Sequence, residues 1–454
     1  MSVSPKRAAI RVITRVPVYR AMPKGALRTY AALRYHGEHS NQERTAEFVH
    51  SLGGIPTRHL SAGMVAARAV FRVGEDDLLT DALDTLEGRF PEAHDVHLLR
   101  SDLHTFHGRY DDALRCAERA RLLSPSSGAA VSRVIQLTYR VHDHATADEV
   151  AVAAVRRFPR TATVLWAAAK TCRSPEQFSR LQEAWRSSIS EPADLLKGVR
   201  QLATAAARAG MPEVAADLYR QAIRLIIEIR PGRREVAVTR LEGRGAWSAI
   251  EDLTRVLDGA GVPFFFAAGT ALGLVREGRP LSADGDIDVG VFDKDFDYDA
   301  LVALFERHPR FRLDEVHPHT KKIGLQHRGG SPVDIFRFYE EDGKVWHDAV
   351  FVRWHNAPFP VERRELRGVR VPVPGEADRY LTENYGDWRT PNPAFDAFTD
   401  DAPNVEITWP EYHSMHLVRR AYRFAAEDEL ERARAELLRA GEEELANMIG
   451  GGRG

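Results

Sequence analysis

Between about residues 60 and 230, apolar and small residues return with helical spacing, and the pattern itself repeats. Pro91, Pro125 and Pro159 stand thirty-four residues apart; Gly74, Gly108 and, three periods on, Gly210 share a second register. Ala113, Ala147 and Ala215 keep step in one column, and Ala120, Ala154 and Ala222 in another. A period of this length fits one helix pair with its turns, a unit too small to bury its own apolar face and therefore obliged to stack on its neighbours. About five such units are predicted, with His142 and Glu176 interrupting the glycine column and Ala193 the proline column. From about Gly243 the pattern changes to alternating strands and helices. Trp247–Ala260 is predicted as an amphipathic helix, Val262–Ala267 as a buried strand, Thr270–Arg276 as a short helix, and the apolar stretch around Asp286–Val291 as another strand. The turn-forming stretch Arg230–Arg234 supplies the boundary.

The run Gly108–Pro125 resembles the second helix of a tetratricopeptide repeat, with Gly at the turn, small residues where helices touch, and Pro closing the unit. The expected fold is an α-solenoid of tetratricopeptide-like helix pairs, followed by an α+β nucleotidyltransferase-like domain with a mixed sheet. The predicted divisions are a basic N-terminal arm with leading helices (1–58), the repeats (59–232), a catalytic domain (243–425), and a charged C-terminal helix with a glycine-rich tail (426–454). That last helix, Glu427–Ile449, reads as a lid or interaction element stopped by Gly450–Gly452. The repeats read as a scaffold for a protein partner or self-association. Within them Cys116, Trp166 and Trp185 read as packing residues.

Composition narrows the classes. Sixty-three Lys and Arg against sixty-five Asp and Glu leave a formal charge of −2, so no nucleic-acid partner is expected. Two cysteines, Cys116 and Cys172, cannot make a disulfide framework, which suits a cytoplasmic setting. The most apolar stretch, Val262–Val275, is shorter than the roughly twenty residues a membrane span requires and contains Pro263. Charge is nonetheless uneven: Met1–His36 holds eight Lys or Arg and no acid. Such an arm is either a solvated terminus or a peripheral contact with an anionic membrane surface, where each cation contributes about 1 kcal/mol.

Candidate chemistry concentrates after residue 262. A strand, the Gly269–Thr270 turn and a helix N-terminus together make an anion site, with Gly269 allowing close approach and Thr270 a good cap. In Asp284-Gly285-Asp286-Ile287-Asp288-Val289, Asp286 and Asp288 are two apart on an apolar strand, so both carboxylates project from one face. Like charges so placed are tolerable around a divalent cation, and oxygen ligands suit Mg²⁺ or Mn²⁺. A Gly329–Gly330 turn separates strand Lys322–His327 from Val333-Asp334-Ile335-Phe336, a hairpin able to bring Asp334 beside the pair. Three converging carboxylates describe metal-dependent phosphoryl or nucleotidyl transfer. His317, His319, His347, His355, His413 and His416 lack the ligand spacing of a structural zinc site and read as scattered residues.

These blocks carry a resemblance. Gly269-Thr270-Ala271-Leu272-Gly273-Leu274-Val275-Arg276 followed by Asp284–Gly290 resembles the signature of the LicD/fukutin phosphotransferases, a branch of the nucleotidyltransferase fold. Val333–Phe336, Arg370–Pro374 and Tyr380–Pro391 resemble the family's downstream blocks in the same order. The resemblance implies transfer of a phospho-alcohol, phosphocholine or a polyol phosphate, from a CDP-activated donor to a hydroxyl of a glycan or glycolipid in cell-surface polysaccharide synthesis. It implies that Gly269, Thr270 and Arg276 contact donor phosphate, that Asp286 and Asp288 hold the metal, and that Asp334 is a third ligand or the general base. Asp284 would stand behind them, and Lys322 would bind the diphosphate or face water. The chain departs from the family at Ala283, usually Trp, and at Gly285, usually Asp, which bears on donor choice more than on metal binding. Two other readings use the same residues: a nucleotidyltransferase leaving NMP on a protein or small molecule, and a repeat scaffold whose transferase domain binds nucleotide without turnover.

Overall fold

A computed structural model describes residues 29–33, 42–230, 232, 241, 245–282, 284–316, 322–392 and 394–450. Most of the basic arm, Lys321, Ala283, His317 and His319 lie outside the described residues. After a leading helix, Gln42–Ser51, the helices to residue 229 pair as α1 (Leu60–Val73) with α2 (Asp76–Arg89), α3 (His94–Phe106) with α4 (Tyr110–Leu123), and α5 (Gly128–Val141) with α6 (His144–Arg157). Two more pairs follow, α7 (Ala162–Thr171) with α8 (Pro175–Arg186), and α9 (Leu195–Arg208) with α10 (Pro212–Ile229). The glycine register has a backbone cause: Gly74, Gly108 and Gly210 have φ of 79°, 67° and 78°, the left-handed turn that ends the first helix of a pair. Of the packing residues, Trp185 is buried and its indole donates to Pro159 O at 2.8 Å. Cys172 is buried, whereas Cys116 is only half-buried.

The second part is an α+β domain. Helix α11 (Ala246–Gly259) precedes β1 (Phe265–Phe266), α12 (Ala268–Arg276) and β2 (Ile287–Phe292). Pro263 and the turn at Ala267–Ala268 cut the expected six-residue strand to two. After α13 (Tyr298–Glu306) come β3 (Phe311–Val316), β4 (Ile323–His327), β5 (Pro332–Glu341), β6 (Lys344–Asp348) and β7 (Val352–Asn356). A separate hairpin, β8 (Val361–Leu366) with β9 (Val369–Pro374), and α14 (Ala377–Tyr385) lead to β10 (Val405–Ile407). The sheet is mixed: β2 pairs parallel with β5, while β1–β2, β3–β4, β4–β5, β5–β6, β6–β7 and β7–β10 are antiparallel. Its core gathers Phe266, Ile287, Val289, Val291, Val333 and Ile335 against Ile250, Leu253 and Leu257 of α11.

The helical array resumes after the sheet. Helix α15 (Pro410–Ala426) packs on α10, and Tyr412, Val418 and Tyr422 share one apolar core with Ala216, Tyr219 and Ile223. Tyr412 Oη donates to Ala207 O at 2.6 Å. The charged C-terminal stretch holds two helices rather than one, α16 (Leu430–Arg439) and α17 (Glu443–Gly450), broken at Gly441 with φ of 77°. Both join the same core through Leu437, Leu445 and Ile449. The transferase-like domain is thus inserted between two parts of one helical stack. No described helix is long and apolar enough to cross a membrane.

Buried charge fixes the two parts together. The Arg328 side chain is 0% exposed, ion-pairs with Asp76 of α2, and lies over the Phe71 ring at 4.3 Å. Arg310 donates to Val73 O of α1. Arg140 of α5 donates to Leu313 O at 2.7 Å, and Lys170 of α7 reaches Asp314 at 2.7 Å.

Candidate active site

The site is built on the parallel pair β2 and β5. Strand alternation turns Ile287, Val289 and Val291 into the core and leaves Asp288 on the opposite face, just beyond Asp286. The pairing register sets Asp288 directly opposite Asp334, so neighbouring strands deliver carboxylates to one place. Gly324 flanks Asp334 from β4, as the expected hairpin requires. Lys322, one residue before β4, places Nζ 2.6 Å from Asp334 Oδ2.

Electrostatics mark this cluster. Burial, then the charges of Asp334 and Asp284, push the Asp286 carboxyl up to about 7. Burial, then Asp286, raises Asp288 well above the usual carboxylate range. Asp284 is pushed by burial to about 6; its Oδ1 accepts from Gly285 N at 2.9 Å, while the buried Oδ2 has no hydrogen-bond partner. Burial works against the Lys322 charge, but Asp334 outweighs it and raises the lysine. Asp284 therefore belongs to the carboxylate cluster on the cavity wall rather than behind it.

Above the carboxylates lies a cavity of about 770 Å³. Its charged wall is formed by Asp284, Asp286, Asp288, Asp334, Lys322 and Arg276; the first turn of α12 adds Ala268 and Gly269. Arg276 donates to Trp388 O at 3.0 Å and to Glu277 at 3.3 Å, which holds the guanidinium at the rim. The missing side chain at Gly269 leaves room for the Asp284 carboxylate, which a Cβ there would crowd.

Thr270 is placed differently from the expectation. Helix α12 begins at Ala268, with Ala267 as its cap, so Thr270 falls inside the first turn. Its side chain is buried, is absent from the cavity wall, and accepts a 2.9 Å hydrogen bond from Asp288 N. Thr270 ties the helix to the strand that carries the acids instead of meeting a ligand. Thr270→Val, which keeps the shape and removes the acceptor, should cost about 1–3 kcal/mol by orphaning that amide. Urea unfolding checks it: Thr270→Ser should stay near wild type, and a Val variant as stable as wild type would contradict the assignment.

Much of the remaining cavity wall is aromatic, with Phe351, Trp354, Tyr385, Trp388, Phe395 and Phe398, and Trp388 meets the polar side through Arg276. Tyr385 and Trp388 come from the expected downstream block, and Trp388 also packs into the core beside Tyr380 and Leu381. His347, which reads as a scattered histidine in the sequence, is on the cavity wall. It is buried, stacked on Phe338 at 4.3 Å and on Trp354 at 4.9 Å, and burial holds its imidazole neutral by lowering the pKa to about 3. Its Nδ1 has no hydrogen-bond partner in the described structure, and the ring lines the cavity. The one available signal was alternation: His347 follows Val345 by two in a strand with aromatic neighbours. His416 instead binds Asp396 at 3.1 Å, and His355 meets Trp346 edge to face.

A strand, a glycine-opened helix turn, and carboxylates at equivalent positions of a parallel pair are the elements that relate this domain to known proteins. Residues 261–376 match the LicD/FKTN/FKRP nucleotidyltransferase domain. The matched interval contains Gly269, Arg276, all four acidic residues and Lys322 of this chain, and stops before α14. The chain is 28% identical over 170 residues to the ribitol-5-phosphate transferase FKTN of Mus musculus, covering 34% of this chain and 36% of the relative. Against the Homo sapiens protein of the same name it is 25% identical over 181 residues, covering 37% of this chain and 38% of the relative. The chain thus matches little more than a third of the length of these relatives.

Proposed function

We propose that this protein is a metal-dependent phosphotransferase that moves a phospho-alcohol from a CDP-activated donor to a glycan hydroxyl. One observation carries the reading: Asp286, Asp288 and Asp334 meet at the floor of a cavity with Lys322 and Arg276 beside them. Resemblance to ribitol-5-phosphate transferases supports a polyol phosphate as the group carried. The cell-surface context of the acceptor and the partner of the helical array remain part of the same proposal.

The residues suit a divalent cation that arrives with its substrate. Among the described residues no three acidic, histidine or cysteine side chains form a ready-made metal cage. Mg²⁺ seldom needs one, because it commonly binds through one or two carboxylates plus substrate phosphates. Asp286 and Asp288 would hold the ion, with the buried, unpartnered Oδ2 of Asp284 adding to the negative field. The cation would neutralise charge on the transferred phosphoryl group. Lys322 pairs with Asp334. A diphosphate would compete for that lysine and free Asp334 to complete the carboxylate set or orient the acceptor hydroxyl. Arg276 would bind the diphosphate from the rim. The acceptor hydroxyl would give its proton to Asp334 as its oxygen bonds to the phosphorus bearing the alcohol, and the bond from that phosphorus to the bridging oxygen breaks, releasing CMP.

Binding a cation to carboxyls that are protonated near neutrality must displace protons. At pH 6, Mn²⁺ binding should release at least about one proton, and affinity should rise more than about tenfold between pH 5.5 and 7 as the raised carboxyls ionise. Titration calorimetry in buffers of different ionisation enthalpy measures this; an affinity flat across that window would contradict a site on these acids.

The donor class is tested by thermal shift with CDP, CTP, ATP and UDP, each with and without Mg²⁺ or Mn²⁺. A ligand at 100 times its dissociation constant adds about 2.7 kcal/mol. A cation-dependent preference for cytidine nucleotides supports the proposal. Preference for ATP would favour NMP transfer, and no response to any nucleotide would leave the domain as part of a scaffold.

A further inference from the structure

We propose that the seam between the helical array and the transferase domain contains a second binding site, for a phosphate-bearing small anion gripped by Arg140 and Arg312. The site is separate from the carboxylate cavity and does not depend on the phosphotransferase reading. It is a cleft of about 80 Å³, a volume suited to one tetrahedral oxyanion, between α5, α7 and α9 on one side and β3 on the other. Six cationic side chains line it: Arg133, Arg140, Lys170, Arg173, Arg208 and Arg312. Asp314 is the one carboxylate on its described wall, and Lys170 lies 2.7 Å from it. Arg133 pairs outside the cleft with Asp102.

Among the described residues, neither Arg140 nor Arg312 has a carboxylate within ion-pair distance. Arg140 gives its Nη2 to two carbonyls, Leu313 O at 2.7 Å and Asp314 O at 3.2 Å. Arg173 gives Nη1 to Lys170 O and Cys172 O, at 2.7 and 2.8 Å, and lies over the Tyr139 ring. Arg312 is the decisive group. Its Nε is buried with no hydrogen-bond partner, and its guanidinium has the Phe106 ring at 5.9 Å. Burial, then Arg133, makes that charge harder to hold. Buried charges in proteins are paired or bind ions, and arginine forks match oxyanions in two-point contacts. A phosphate group would meet Arg312 and Arg140 together and offset the surplus.

The local fold has a device that shapes the cleft. The β3–β4 register slips between Leu313 and Glu315, leaving Asp314 as the extra residue of a bulge. The bulge re-aims Asp314 toward Lys170 of the array, while Arg312 stays on the cleft wall. An anion here would tie β3 to three helices of the array.

Calorimetric titration of the full chain without divalent cations, at constant ionic strength, tests the site with inorganic phosphate and, separately, glucose 6-phosphate. Wild type should bind one equivalent, more weakly as NaCl rises. Arg312→Gln and Arg140→Gln should each weaken binding at least about tenfold, whereas Lys322→Gln, altered in the carboxylate cavity, should bind as wild type does. Arg312→Lys, which keeps the charge and loses the fork, should fall between and serves if the Gln variant fails to fold. Equal affinity for the two titrants identifies free phosphate as the ligand, and tighter binding of the ester identifies a phosphorylated metabolite. Binding that survives Arg312→Gln but is lost in Lys322→Gln, or no binding of either titrant at 5 mM (about 100-fold above a typical tight site), overturns the proposal.

Discussion

Asp286→Asn should reduce phospho-alcohol transfer by about a thousand-fold while making the metal-free protein more stable at neutral pH. The two effects have one cause. A carboxyl whose folded pKa is about 7, against about 3.9 when unfolded, costs nothing to the fold below the lower value, when it is protonated in both states. The cost grows as pH rises between them and is fully present above the higher one. Asn removes the cost along with the charge a cation needs. Melting without metal from pH 4.5 to 8 should show wild type losing stability as pH rises, with a shallower decline in the variant. Mn²⁺ should reverse the loss in wild type alone. An inactive variant that is also less stable at pH 8 would indicate that Asp286 supports the fold rather than a ligand.

The second large effect is at the join between the two parts. Arg328→Ala should destabilise the protein by about 3–5 kcal/mol, the usual consequence of removing one member of a buried ion pair. Arg328 is fully buried, pairs with Asp76 and covers the Phe71 ring, so truncation removes charge and packing together. Asp76 keeps His107 at 2.8 Å, which places the expected loss toward the lower end of that range. A double-mutant cycle of Arg328→Met with Asp76→Asn isolates the pair, and a coupling of about 1–3 kcal/mol is expected from urea unfolding. A coupling below about 0.5 kcal/mol would show that Arg328 acts through packing on Phe71 alone.

The acidic site was readable because its determinants are local. Asp286 and Asp288 sit at strand period in an apolar run, and the Gly329–Gly330 turn announces the hairpin that carries Asp334. What the period could not supply was register. That Asp288 faces Asp334 is decided by the whole parallel pairing of β2 with β5, and that Thr270 caps the Asp288 amide is decided by how α12 lies on β2. The thirty-four-residue period likewise reached the helix pairs through their glycine turns. It could not show that α15 rejoins α10 across the inserted domain, since that contact joins residues some two hundred apart with no shared repeat. His347 and Trp354 escaped for a similar reason: on β6 and β7 either strand face could have been core, and sheet packing selects the one that walls the cavity.

The fate of the donor tests the transfer itself. The protein would be incubated with Mg²⁺ or Mn²⁺, a panel of glycan acceptors, and CDP-ribitol or CDP-choline labelled in the alcohol, with released nucleotide followed by mass spectrometry. CMP should form in step with label appearing on the acceptor, and neither should appear with Asp286→Asn. Pyrophosphate released from CTP or ATP, with NMP left on protein or acceptor and no CMP from any CDP-alcohol, would contradict the proposed transfer.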